Sequence, residues 1–354
     1  MPDTETIAPP DVELDDPNFD CRSVPFDKTG LLLVNLGTPD GTDYWSMRRY
    51  LSEFLSDPRV IEIPMFAWQP LLQGIILSIR PSKSGEAYKK IWMNDIDKSP
   101  LLYFTEEQTR KLNERIGSDD LIVDFAMRYG NPSMESKIEA LKKRGCERIA
   151  VLALYPQYSA ATMATVYDKT FKLLKKMRWQ PSVRTVPPFY SNTAYIEALS
   201  NSLQRQIDAL DFDPQVVLLS YHGIPKLCVS KGDPYHCHCL ETTRMVREYL
   251  GWPDSYCRTT FQSRFGPQEW LQPYTDETLE ALPGDGITRV AVAAPAFISD
   301  CVETLEEIAI EGKEEFMEAG GEQFATLECL NDSDECIDVL EALARKELAG
   351  WASV

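Results

Sequence analysis

One imidazole stands where a fold can use it. Val216-Val217-Leu218-Leu219 is an apolar run, and Ser220-Tyr221-His222-Gly223-Ile224-Pro225 follows it with a Gly and a Pro that force a turn. The pattern predicts a buried strand whose end carries His222, and in open α/β sheets ligands sit just past the carboxyl ends of the strands. An imidazole there can act as a base, a proton carrier or a metal ligand near neutral pH. The plainer reading is a polar residue capping a turn. The second stretch is acidic. Glu303, Glu307 and Glu311 lie four apart after Asp300, a spacing that stacks them on one helix face, and Lys313 is the only cation between Asp300 and Ala319. Like charges so placed repel by roughly a few tenths of a kcal/mol per pair. The row is either a solvated face or one that binds a cation or passes protons. Glu303 is nearest the helix start, so it should share a cleft with His222. One His and one Glu suit a borderline divalent ion such as iron or zinc, in an open site better for a metal in transit than for one kept. Cys228, Cys237, Cys239 and Cys257 form a third cluster, interleaved with His236 and His238.

The elements that must position these residues read as alternating strands and helices. Strands are expected at Gly30–Leu36, Leu121–Ala126, Ile149–Leu154, Val216–Leu219, Arg258–Phe261 and Arg289–Ala294. Helices are expected over Asp43–Leu55, Glu135–Arg144, Ala194–Leu210, Leu240–Leu250, one long span from an Asp300 cap to Gly320-Gly321, and Ser333–Leu348. Such alternation argues an α/β fold of parallel sheets. A faint repeat divides it. Leu33-Val34-Asn35-Leu36-Gly37-Thr38-Pro39 resembles Leu219-Ser220-Tyr221-His222-Gly223-Ile224-Pro225, and Leu154-Tyr155-Pro156-Gln157-Tyr158-Ser159 resembles Ala294-Pro295-Ala296-Phe297-Ile298-Ser299. The expected layout is an acidic, disordered tail over 1–27, one lobe over 28–190, a second over 191–328, and a C-terminal helix over 329–354 packing back on the first lobe.

Composition narrows the function. The 354 residues carry 36 Lys+Arg against 55 Asp+Glu, a net charge of -19, which argues against nucleic acid as a partner. No apolar run reaches the ~20 residues of a membrane span, and no secretory signal core precedes the first strand, so a cytoplasmic protein with reduced thiols is expected. Walker loops, a Gly-x-Gly-x-x-Gly after a strand, Gly-x-Ser-x-Gly and His-Glu-x-x-His do not occur, leaving nucleotide binding, serine hydrolysis and zincin chemistry without support.

Several segments together resemble one family. Leu33 to Pro39, Arg128-Tyr129, Tyr155-Pro156-Gln157-Tyr158-Ser159, Ser220 to Pro225, Phe261-Gln262-Ser263-Arg264-Phe265-Gly266-Pro267 and Asp300-Cys301-Val302-Glu303-Thr304-Leu305-Glu306-Glu307-Ile308 look like ferrochelatase, in family order from about Gly30 to near the C-terminus. The resemblance implies two Rossmann-like chelatase lobes, each a parallel sheet flanked by helices, with the porphyrin in the cleft between them. It implies insertion of Fe2+ into protoporphyrin IX with release of two protons, the last step of haem synthesis. His222 matches the family's active-site His and Glu303 its partner carboxylate, both as catalytic residues and as contacts of the metal. Glu307 and Glu311 match the acidic row behind, a path for protons. Arg128, Tyr129, Trp270, Leu36 and Cys301 match the porphyrin cleft. Two other readings stand beside this one: a non-catalytic tetrapyrrole or haem binder using the same cleft, and a chelatase for another metal or for coproporphyrin.

The cysteines also bear on the resemblance. Many members hold a [2Fe–2S] cluster through a C-terminal cysteine group and one cysteine after Tyr-Pro-Gln-Tyr-Ser. Here Ala160 follows Ser159, so that site is absent. A smaller bacterial group uses an internal segment, which Cys228, Cys237, Cys239 and Cys257 resemble, so a cluster there is the expectation, against ordinary free thiols. The apolar stretch Met65 to Leu77, interrupted by Pro70 and Gly74, is either packed core or the family's apolar lip over the porphyrin, which can rest on the inner face of a membrane. Oligomeric state leaves no signal in the residues.

Overall fold

A computed structural model describes residues 27–352. The tail expected over 1–27 falls outside them except for Asp27. The remainder folds around two parallel four-stranded sheets. The first contains β1 (Lys28–Thr38), β2 (Leu121–Gly130), β3 (Cys146–Ala153) and β4 (Ser182–Thr185), in the order β2-β1-β3-β4. The second contains β5 (Val216–His222), β6 (Cys257–Gln262), β7 (Arg289–Ala293) and β8 (Gln323–Leu327), in the order β6-β5-β7-β8. Each sheet is wound from its second position outward, first to one side and then to the other, with helices in the crossovers. This is the Rossmann-like α/β architecture expected. The faint repeat now has a physical counterpart. β1 and β5 hold equivalent places, as do β3 and β7, so each matching pair of segments lies at equivalent strand ends.

The central strands are apolar on both faces because helices cover both. Leu31, Leu32, Leu33 and Val34 of β1 and Val216 to Leu219 of β5 are all buried, as parallel sheets require. One cluster of buried residues runs across both sheets, from Leu31 and Leu152 through Tyr195 and Ile337 to Leu219 and Ala291. The last helix, Asp334–Leu348, belongs to this shared core. The residues that follow it reach the first sheet by hydrogen bonds: Thr29 Oγ1 donates to the Trp351 carbonyl at 3.2 Å, and Arg184 Nη1 to that of Ala349 at 3.1 Å.

The structure departs from the residue pattern in three places. The long helix capped by Asp300 is three pieces: Val302–Leu305, a wide π-type turn over Glu307–Gly312, and Lys313–Glu318, with Cys301 rather than Asp300 as its cap. In the wide turn Glu311 N–H bonds to the Glu306 carbonyl, five residues back, at 3.0 Å. Four-residue spacing on one face assumes a regular helix, so the row is rotated where the turn widens. Second, a 17-residue helix, Pro100–Ile116, went unread, although Ser99 caps it, accepting from Leu102 N–H at 3.2 Å, and Pro100 starts it. Third, the edge strands β4 and β8 are short and half-exposed, so they lack the apolar run that marks the others.

Gly37 shows how tightly β1 and β2 meet at the strand ends. It has φ +112°, and a Cβ there would lie 1.8 Å from the Tyr129 carbonyl oxygen. Gly37→Ala is expected to cost at least about 2–3 kcal/mol through backbone strain and clash, measured as a lower denaturant midpoint with an unchanged slope.

Candidate active site

His222 is the last residue of β5 and is half-buried. Its Nδ1 lies 2.7 Å from the carbonyl oxygen of Gly223. A carbonyl can only accept, so Nδ1 carries the proton and the neutral ring keeps its free lone pair on Nε2. The turn beyond is packed hard. Gly223 N–H donates to the Gln262 carbonyl at 2.8 Å, and a Cβ on Gly223 would meet that same oxygen at 2.9 Å and the Trp270 ring at 3.2 Å. Trp270, buried, has its indole N–H on the Phe265 carbonyl at 3.0 Å. It is therefore a wall behind the histidine turn.

The acidic turn meets this strand end through one amide side chain. Gln262, buried, pairs in register with His222 across β5 and β6. Its Nε2 donates to the Glu303 carbonyl at 2.8 Å and to Glu307 Oε2 at 3.2 Å. Its Oε1 accepts from Ser220 Oγ at 2.8 Å, which fixes which way the amide points. Ser263 Oγ adds a second donor to Glu307 Oε2 at 2.5 Å. Burial pushes the Glu307 carboxyl above its ordinary range; the Ser263 hydroxyl, the His222 charge and the Gln262 amide pull the other way, and the Glu303 charge adds to the rise. Glu303 and Glu307 are half-buried while Glu311 is exposed. A polar residue at a strand end opposite a histidine was the only available signal for Gln262.

The first lobe supplies the facing wall. Burial pushes the phenols of Tyr50, Tyr88 and Tyr155 far up, and the charge of Glu303 in the second lobe adds to the rise in each. Tyr50 donates to the Gly37 carbonyl at 3.2 Å. Leu36 is half-buried at the end of β1, and Val302 packs with it against the cluster holding Tyr50, Tyr88 and Tyr129. Arg128 and Tyr129 are buried: Arg128 pairs with Asp57, donates through Nε to the Thr165 carbonyl at 2.9 Å, and lies 4.3 Å over the Tyr129 ring, whose hydroxyl reaches Asp57 at 3.1 Å. Glu306, next to Glu307, is tied instead to Lys90 of the first lobe at 2.7 Å. Cys301 is buried beside Glu303, and burial and the Glu303 charge both raise its thiol.

The four cysteines do not fit a cluster. Cys237 and Cys239 lie two apart on the helix Tyr235–Leu250, about 200° apart around its axis; Cys237 is exposed and Cys239 is packed in the core. Cys257 starts β6, at the opposite end of that strand from Gln262, and Cys228 sits in a separate short helix. Among the described residues no three His, Cys, Asp or Glu side chains gather as a metal site. His238 does other work: its Nδ1 accepts from Tyr158 N–H at 3.1 Å and its ring stacks on Tyr190 with centroids 3.7 Å apart.

With this geometry in hand, the comparisons are specific. The sequence pattern of the family Ferrochelatase matches residues 28–348. The ferrochelatase of Allorhizobium ampelinum is 56% identical over 329 residues, 93% of this chain and 96% of that protein. That of Rhizobium meliloti is 55% identical over 337 residues, 95% and 99% of the two chains. Among solved structures, SirB from Bacillus subtilis with Fe3+ aligns at TM-score 0.53 and 13% identity over 90% of this chain and 97% of its own; at that identity the likeness speaks to the chelatase fold alone.

A carboxyl that binds its proton more tightly when folded adds stability below the unfolded pKa, and that contribution is lost as pH rises through the folded pKa. Glu307→Gln, neutral throughout, is therefore expected to match the parent in acid and to exceed it in stability near neutrality, read from denaturant midpoints at both pH values.

Proposed function

The chain belongs to the ferrochelatase family and inserts Fe2+ into protoporphyrin in haem biosynthesis, and on that premise we propose that His222 and Glu303 are the pair that meets the metal and the pyrrole protons. The observation that carries this is the Gln262 amide, which ties the backbone of Glu303 and the carboxylate of Glu307 to the strand end where His222 keeps Nε2 free. The reaction takes Fe2+ in and releases two protons, one from each of two pyrrole N–H groups, so the site needs an acceptor and an exit. His222 Nε2 takes a pyrrole proton in its neutral form. Glu303 faces the incoming cation, and its negative charge offsets the ion's lost hydration. Glu307, whose carboxyl burial holds above the ordinary range, takes the second pyrrole proton and releases it towards the solvent-exposed end of the turn. A rigid wall that favours a bent macrocycle lowers the barrier by exposing the nitrogen lone pairs. Leu36, Trp270 and Cys301 belong to that wall, while Arg128 and Tyr129 brace it from behind through Asp57. The free tetrapyrrole-binder reading gains no support from a site with a base and a carboxylate row.

His222→Ala is expected to lower turnover of Fe2+ and protoporphyrin, assayed anaerobically, by about 100-fold or more with the fold intact. A loss smaller than roughly tenfold would remove His222 from the chemistry.

The stretch Met65–Leu77 divides between packed core and exposed apolar face. Trp68, Leu72 and Leu77 pack inward, with the Trp68 indole on the Leu55 carbonyl at 2.7 Å. Phe66 at 85% exposed, Ile79 at 70%, and Trp45, Ile75 and Leu71 face outward. Among the described residues no helix is long and apolar enough to cross a membrane. The outer face supports peripheral contact, since contiguous exposed apolar surface marks interaction sites. Phe66→Ser with Ile79→Ser is expected to reduce co-sedimentation with lipid vesicles at least about fivefold while leaving turnover in detergent unchanged, consistent with about 1.5–3 kcal/mol per large apolar side chain fully withdrawn from water.

A further inference from the structure

The helix that carries Glu303 is too short to hold itself. Val302–Leu305 is one turn, followed closely by the π-type turn Glu307–Gly312, and a single turn bears the nucleation cost of a helix without the bonds that propagate it. Its geometry is held by side chains around Asp300. Thr304 Oγ1 accepts from Cys301 N–H at 3.0 Å and lies 2.9 Å from Asp300 Oδ1, to which it donates. Asp300, 4% exposed, accepts on its other oxygen from Asn331 Nδ2 at 2.7 Å. Asn331 Oδ1 in turn accepts from Asp300 N–H at 2.8 Å, so one amide grips the same residue twice. Asn331 holds φ +51°, a conformation Asn tolerates better than most residues. Its carbonyl accepts from Gln108 Nε2 at 2.6 Å, and the same nitrogen reaches Ser299 Oγ at 2.9 Å. Gln108 is fully buried on the Pro100–Ile116 helix of the first lobe. A continuous chain of hydrogen bonds thus runs from the first lobe, through the loop after β8, to the residue beside Glu303.

We propose that Asn331 is a positioning residue for Glu303: its two-point grip on Asp300 sets Thr304, hence the single turn bearing Glu303, in a register dictated by Gln108 of the first lobe. This rests on the role given to Glu303 above. A buried carboxylate deprived of a donor seeks another arrangement, so loss of the amide displaces the turn, and small displacements of a reacting group cost rate steeply.

Asn331→Gly keeps the left-handed backbone without steric cost and removes the grip. It is expected to lower kcat by about tenfold or more, while porphyrin affinity, read by fluorescence quenching, and KM for porphyrin stay within about twofold. Thr304→Val, of nearly the same shape, should give the same split, and Thr304→Ser should restore most of the lost kcat. The Thr304 pair decides the matter if Asn331→Gly does not fold. Unchanged kcat in folded Asn331→Gly or in Thr304→Val overturns the proposal, and so does a parallel loss of porphyrin affinity, which marks a general loosening of the cleft. Glu303→Gln is the control. If it keeps full turnover, the role of Glu303 fails and the positioning role with it; if it is inactive while Asn331→Gly and Thr304→Val are fully active, only the positioning role fails.

Discussion

The Gln262 amide is the joint on which the candidate site depends. It sits one strand over from His222, in register, and its two nitrogen-bound hydrogens reach the Glu303 carbonyl and the Glu307 carboxylate. Its oxygen is occupied by Ser220, two residues before His222 on the same strand as the histidine. Three of the groups that matter are thereby referred to one planar amide, whose orientation is set from below by the Ser220 hydroxyl and by Thr275 beyond it, 2.8 Å from Ser220 Oγ. Buried polar networks of this kind fix a single arrangement because each broken bond leaves a group without water to replace it.

The two lobes share a topology and differ in what their second-position strands present. β5 ends in an imidazole and β1 ends in Leu36, Gly37 and Thr38. Gly37 is the point at which β1 and β2 come too close for any side chain. The first lobe thus contributes aromatic, apolar wall and the second contributes titratable groups. The Glu306–Lys90 pair and the Asn331–Gln108 contact cross the same boundary, so the carboxylate turn takes its position from both sides.

Short spans carry the functional groups, and their shape departs from regular helix there. At the π-type turn Glu307–Gly312 the neighbouring residues Glu306 and Glu307 are held by partners on different elements, Lys90 of the first lobe and Ser263 after β6. Wide turns of this kind recur at functional sites. The cysteine-rich stretch shows the opposite case. A regular helix sends Cys237 to solvent and Cys239 to the core, and the segment instead docks on the loop after β3 through His238 and through Asp233, which accepts from Ala160 N–H at 2.7 Å.

Apolar runs closed by Gly or Pro were enough to find the central strands, because a strand buried on both faces needs nothing but apolar residues and a stop. They also located His222 at a strand end, and the matching turn segments exposed the repeat that the strand order bears out. Residue spacing alone placed Glu303, Glu307 and Glu311 on one face, and failed where the backbone left the α-helical period. It also grouped four cysteines that the fold separates, since nearness along the chain says nothing about which side of a helix meets the core. Gln262, Asn331 and Gln108 could not be singled out beforehand: each acts through hydrogen bonds to residues 41, 31 and 223 positions away. Local pattern encodes which segments are buried, since burial is a property of each segment's own composition. Which polar atoms meet is decided only when the two sheets and the C-terminal arm close on one another, because a hydrogen bond needs both partners in place to within a fraction of an ångström.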